Sequence, residues 1–353
     1  MEFNKQFNVH TLEELISSII EFADGDMVWF RGHENSEYSL LPTLYRNKTV
    51  DFIDKKKNYN SIHYAEDMRM QQYYAKNYPF IKDSGKNKTE WLGMAQHFGI
   101  NTRFFDWSTS AFHSLVFALN QFFDSNASRN TAIPCLWILK PQKLNKIIID
   151  EITCNSTKMA RQIINNLSVS AKERKSILTL FDMLKKNYNQ YKNIYVESNP
   201  NNNWGHLDYI YNPAYFDKLI EAAKTNPRLA FSGHTINPLF YLLANAYIEG
   251  DSMESDILMT TPLAIIHPIN NERIRSQHGV FTLFPFPSHK LYTANNSLDY
   301  FKMENNPKIK GTLCKINILF PKKISEELKV LGTHKSWLFY EQDRISQEIE
   351  SGL

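Results

Sequence analysis

Ala95-Gln96-His97-Phe98-Gly99-Ile100-Asn101-Thr102-Arg103-Phe104-Phe105-Asp106-Trp107 changes backbone type within thirteen residues. Its first part completes a helix begun near Glu90, Gly99 supplies the left-handed residue that ends it, and residues 102–107 read as extended. Immediately downstream, Ser108 or Ser110 is suited to cap a helix. In that helix Phe112, Leu115, Val116, Leu119, Phe122 and Phe123 recur at i, i+3, i+4, i+7, i+10 and i+11, an apolar stripe of helical period. Helix, strand and helix in such close succession predict an α+β fold, with a mixed small sheet flanked by helices.

Working outward towards the N-terminus, Met27-Val28-Trp29-Phe30 is a β-prone run, and the spacing predicts a buried strand closing at Arg31-Gly32. Before it, Thr11 with Glu14 three residues on forms a capping box for a helix whose Leu12, Leu15, Ile16, Ile19 and Ile20 share a face, ending near Gly25. Between the two blocks, Leu41-Pro42 predicts a loop, and residues 61–76 a helix with Tyr64, Met68 and Ala75 inward. Towards the C-terminus, residues 133–139 read as a short apolar strand near Pro134 and Pro141, and strands are expected at 263–267, 280–284 and 312–319. Helices are expected at 159–166, 172–186, 324–330 and 342–350. The texture divides the chain into 1–150, the first part of a core, a mainly helical insertion over 151–260, and 261–353 completing the core.

The 353 residues carry 40 Lys plus Arg against 37 Asp plus Glu, and this balance of +3 is too weak a field to announce a nucleic-acid or membrane partner. The lysines at 55–57, 82–88, 140–146 and 172–186, interleaved with Tyr59, Tyr73, Tyr188 and Tyr191, would suit phosphate contact with base stacking, but such runs more often form solvated faces. Cys135, Cys154 and Cys314 are too far apart for a CxxC site and odd in number, so they read as reduced thiols. With an acidic, polar start and no long apolar span, this predicts a cytoplasmic protein that does not enter a membrane. His97, His113, His234, His267, His278 and His334 lack local ligand spacing, so no metal is expected from the sequence.

Trp29-Phe30-Arg31-Gly32, running on to Leu41-Pro42, and the 95–107 block about sixty residues later together resemble the FRG domain family, named for its Phe-Arg-Gly triplet. Members show an AQH-x-G-x-PTR-x-LDW run entering an apolar helix, and Phe117-Ala118 sits at the matching helix end. Asn101 stands where the proline is usual and Phe104-Phe105 where leucine is. Arg273, Gln277, Gly279 and Phe281 look like a later Arg-x-x-x-Gln-x-Gly-x-Phe element. The resemblance implies a bacterial protein of the defence or toxin type.

Arg31, Arg103 and Asp106 sit among aromatic residues, where an unpaired charge is costly, so Asp106 pairing with Arg31 or Arg103 is one expectation. The order of motifs also looks like that of ADP-ribosyltransferases. In that reading Arg31 beside Gly32 orients NAD as substrate, Ser108-Thr109-Ser110 braces the site, and Glu272 or Gln277 takes the place of the acid, since Glu348-Ile349-Glu350 falls in an expected terminal helix. Catalytic candidates are therefore Arg31, Gln277, Glu272 and Ser108. Gly32, His97, Arg103, Asp106, Trp107 and Thr109 are candidates for substrate binding, with Trp107 or Phe30 stacking on nicotinamide. Two further readings stay open. One is a nucleic-acid-binding or RNA-cleaving effector acting through His33, His97 and an acid. The other is a sensor module in which residues 151–260 meet a phage or host trigger or a protein target.

Overall fold

The computed structural model describes residues 4–46, 61–77, 88–123, 132–155, 170, 171, 175, 260–266, 276–285 and 301–335. Seven strands form one mixed sheet: β1 (Lys5–Val9), β2 (Trp29–His33), β3 (Phe104–Ser108), β4 (Cys135–Leu139), β5 (Leu263–Ile265), β6 (Gly279–Leu283) and β7 (Leu313–Ile318). Their spatial order is β1-β7-β4-β2-β3-β6-β5. Only β1 and β7 run parallel; the other neighbours are antiparallel. The α+β class read from the sequence is therefore the observed one.

Seven α-helices stand among the described residues: α1 (Leu12–Ala23), α2 (Thr43–Arg46), α3 (Ser61–Asn77), α4 (Lys88–His97), α5 (Ala111–Ala118), α6 (Pro141–Asn155) and α7 (Pro321–Val330). None of them is long and apolar enough to cross a membrane. The start of α1 follows its signal closely. The Thr11 hydroxyl accepts from the Glu14 backbone at 3.2 Å, while the Glu14 carboxylate reaches one residue further back than a capping box requires, to the His10 N–H at 2.7 Å.

Both faces of the sheet are covered, which is why β4, Cys-Leu-Trp-Ile-Leu, is apolar without alternation and buried throughout. On one face Phe30, Leu136, Ile138 and Ile316 meet Leu15 of α1, Leu115 of α5 and Leu328 of α7. On the other, Trp29, Phe105, Trp107 and Trp137 meet Leu44 and Tyr45 of α2 and Leu144 of α6. Cys135 and Cys314 are free, buried thiols, their pKa values pushed up to about 12 by desolvation.

Several expectations need correction. The strand expected to stop at Arg31-Gly32 continues through both residues to His33, because β4 pairs with it along its full length. The loop expected at Pro42 instead starts the short helix α2, and Pro141 opens α6 rather than merely bounding a strand. β1 was not legible at all, for only Phe7 and Val9 of its five residues leave the surface and its main link is the backbone ladder to β7. The helices expected at 159–166 and 342–350, and that at 172–186 apart from residue 175, lie outside the described residues.

Candidate functional site

Alternation along β2 sends the three residues of the Phe-Arg-Gly triplet to different tasks. Phe30 packs with α1 and α5 on one face, while Arg31 faces the other, over the Phe105 ring. Gly32 meets α5. A Cβ placed there would stand 1.8 Å from the Ser114 carbonyl oxygen and 2.7 Å from the Ala118 nitrogen, so the helix backbone lies directly on the strand. The expectation that this glycine makes room for a ligand is thus corrected: the close approach it permits is that of the chain's own helix.

Arg31 is held from three sides. Its Nε donates to His33 Nε2 at 2.9 Å, its Nη1 donates to the Asp106 carbonyl at 2.6 Å, and its guanidinium lies 3.9 Å from the centre of the Phe105 ring. The carbonyl is accessible because β2 and β3 pair only at Phe30 and Ser108 and then diverge, so the arginine bridges the gap that the backbone ladder leaves. Desolvation, with a smaller contribution from Arg46, lowers the Arg31 pKa to about 10 against the opposing pull of Asp106, and the group stays cationic at neutral pH. His33 is neutral. Burial first, then the nearby Arg31, Arg46 and Lys315, take its pKa down to about 3. With Nε2 accepting, its proton is on Nδ1, beside the Tyr38 backbone but without a hydrogen bond of normal geometry. Although crowded, the Arg31 side chain keeps 22% of its surface open, and Nη2 makes no hydrogen bond with any described residue.

Asp106 borders this edge. Its side chain is 60% exposed, with Oδ2 3.9 Å from Arg31 Nη1 and Oδ1 accepting from Gln96 Nε2 at 2.7 Å. Gln96 in turn accepts from the Thr102 hydroxyl through its own amide oxygen. The Ala-Gln-His and Thr-Arg…Asp-Trp parts of the sequence block are therefore one clasp. Ala95 is sealed against Tyr73 and Trp91, Gln96 reaches across to Thr102 and Asp106, and the turn at Gly99, with φ +86°, lets the chain double back.

Residues 26–127 match the family model for the FRG domain. The chain carries an FRG domain. The matched span contains β2, β3 and the helices from α2 to α5, whereas β1, β4, β5, β6 and β7 complete the same sheet from outside it. No curated protein and no solved structure matches the chain.

Other candidates within the FRG domain are drawn into its framework. Arg103 is 1% exposed and pairs with Glu66 of α3, equally buried, at 2.8 Å; Glu66 also accepts the Arg103 backbone N–H at 2.8 Å. Arg103 Nη1 donates to the Phe284 carbonyl at 3.1 Å. Of the two arginines expected as partners for Asp106, Arg31 is the one its carboxylate faces, at 3.9 Å, with Gln96 on its other oxygen. Trp107 is buried, its indole N–H donating to the Thr282 hydroxyl at 3.1 Å. Phe30 lies on the face opposite Arg31, and the aromatic surface against that arginine is Phe105.

Ser108 and Thr109 tie β3 to the turn before β6. The Ser108 hydroxyl donates to the Gln277 carbonyl at 2.8 Å and the Thr109 N–H to the His278 carbonyl at 3.0 Å. Gln277 is thus fixed through its backbone. His97 is half-buried, its ring 4.9 Å from that of Phe98. Glu272 and Arg273 lie outside the described residues, as do most of residues 151–260, the lysine run at 55–57 and all of the run at 82–88 except Lys88. Lys140, from the run at 140–146, is buried in an ion pair with Asp26 at 2.6 Å rather than solvated. Sequence reasoning missed Phe105, His33 and Glu66 as partners of the two arginines. The alternation of Phe105 with Trp107 across β3 could have pointed to the first, whereas Glu66 lies in a helix with no periodic mark.

Proposed function

We propose that this FRG domain binds the diphosphate of an NAD-type dinucleotide at Arg31 and promotes ADP-ribosyl transfer, an activity suited to the defence or toxin-type effector that its family resemblance implies. The reading rests on the cation itself: a guanidinium braced by His33, the Asp106 carbonyl and Phe105 that still turns an open edge outward. Such a donor loses little entropy on meeting a phosphate, and Arg46 adds a second positive charge nearby.

In the reaction the bond from ribose C1′ to the nicotinamide nitrogen breaks and its electron pair leaves with nicotinamide. An acceptor oxygen or nitrogen then bonds to C1′ and releases a proton. The transient positive charge on C1′ and the ring oxygen calls for a carboxylate. Gln277 cannot supply one, and Asp106, exposed and steadied by Gln96, is the group we assign to that part. In this scheme Arg31 orients the substrate and Ser108 and Thr109 hold the neighbouring turn.

Incubating the whole chain with NAD and protein, RNA or DNA acceptors, and quantifying nicotinamide by chromatography, tests the scheme. Release is expected from the parent, abolition in Arg31→Ala, and a fall of about a hundredfold or more in Asp106→Asn, the order of loss on removing a transition-state charge partner. No nicotinamide from the parent with any acceptor would sink the transferase reading.

A further inference from the structure

Away from Arg31, the Ser108-Thr109-Ser110 run brings together two histidines far apart in sequence. His113, in the first turn of α5, and His278, before β6, have ring centroids 5.1 Å apart with planes inclined at 62°. An ion about 2.1 Å from one nitrogen of each of two imidazoles, at a tetrahedral angle, requires ring centres roughly 5 Å apart. The separation thus fits a shared ligand position.

The His113 ring is held by a hydroxyl, and His278 is positioned through its backbone. His113 Nδ1 lies 2.9 Å from the Ser110 hydroxyl, a contact that fixes the rotation of the ring. His278 has φ +51°, a left-handed conformation uncommon for residues other than glycine, and its turn is fastened to β3 by the Ser108–Gln277 and Thr109–His278 hydrogen bonds.

We propose that His113 and His278 form a two-histidine site for a divalent transition ion of the zinc, nickel and copper class, with water completing the coordination. No group of three or more potential metal-binding side chains occurs among the described residues, so the ion would keep open positions. This inference is independent of the Arg31 reading and uses neither Arg31 nor Asp106.

Calorimetric titration of the full chain with Ni2+ at pH 7.5 tests it, because the reading is binding rather than catalysis. The parent is expected to take up one equivalent that is lost in His113→Asn and in His278→Asn, while Ser110→Ala retains it with about tenfold weaker affinity. Asparagine tolerates the left-handed backbone at 278, and His278→Gly, freer still, provides a second variant at that position. Melting temperatures matching the parent show that the fold is intact. Undiminished uptake in the two His278 variants, or none by the parent, overturns the site.

Discussion

Arg31 and Gly32 are neighbours in sequence yet answer to separate constraints, one electrostatic and one steric. Arg31 stays charged in a crowded setting because His33 is neutral and can accept its Nε–H. That arrangement makes His33 the acid-sensitive residue of the site. Its folded pKa of about 3 lies below the unfolded value of about 6.5, so its contribution to stability is fully present above about pH 6.5 and is lost as pH falls towards 3. Between pH 7.5 and pH 5 this one group should cost about 2 kcal/mol. Chemical denaturation at the two values should show a smaller loss in His33→Gln, which keeps a hydrogen-bond acceptor but does not titrate. An equal loss in both proteins would remove His33 from the explanation.

Among the elements, the contact of β2 with α5 has the least tolerance. Ser114 and Ala118 present a small-residue face to Gly32, and Leu115, Val116 and Leu119 pack around the seam. Gly32→Ala should therefore destabilise by about 3 kcal/mol, the upper end of ordinary overpacking, because the obstructing atoms belong to helix backbone and cannot rotate away. Gly99→Ala offers a control: nothing lies within 4 Å of its added Cβ, and the cost of about 1–2 kcal/mol is that of a left-handed backbone alone. Urea midpoints of the two variants should differ in that order. The reverse order would mean that α5 can move off the strand.

For the whole molecule, the Glu66–Arg103 pair joins α3, the start of β3 and the end of β6, segments remote in sequence. Removing one partner leaves a buried charge, so Glu66→Ala should cost about 3–5 kcal/mol, whereas Glu66→Met with Arg103→Met should recover much of that loss. Denaturant titration of both variants is the check, and a double variant less stable than the single one would contradict the account. The sequence alone determined the α+β class, the FRG motif blocks, the cap of α1 and the placing of β4, because each depends on local period, glycine conformation or a hydroxyl a few residues from its target. Only tertiary structure decided that Gly32 serves α5, that Arg103 belongs to Glu66, that Phe105 underlies Arg31, and that β1 joins β7. The physical reason is the range of the interaction: a local pattern shows that a charge needs a partner or that a glycine needs space, while the identity of the partner depends on which distant segments the sheet brings side by side.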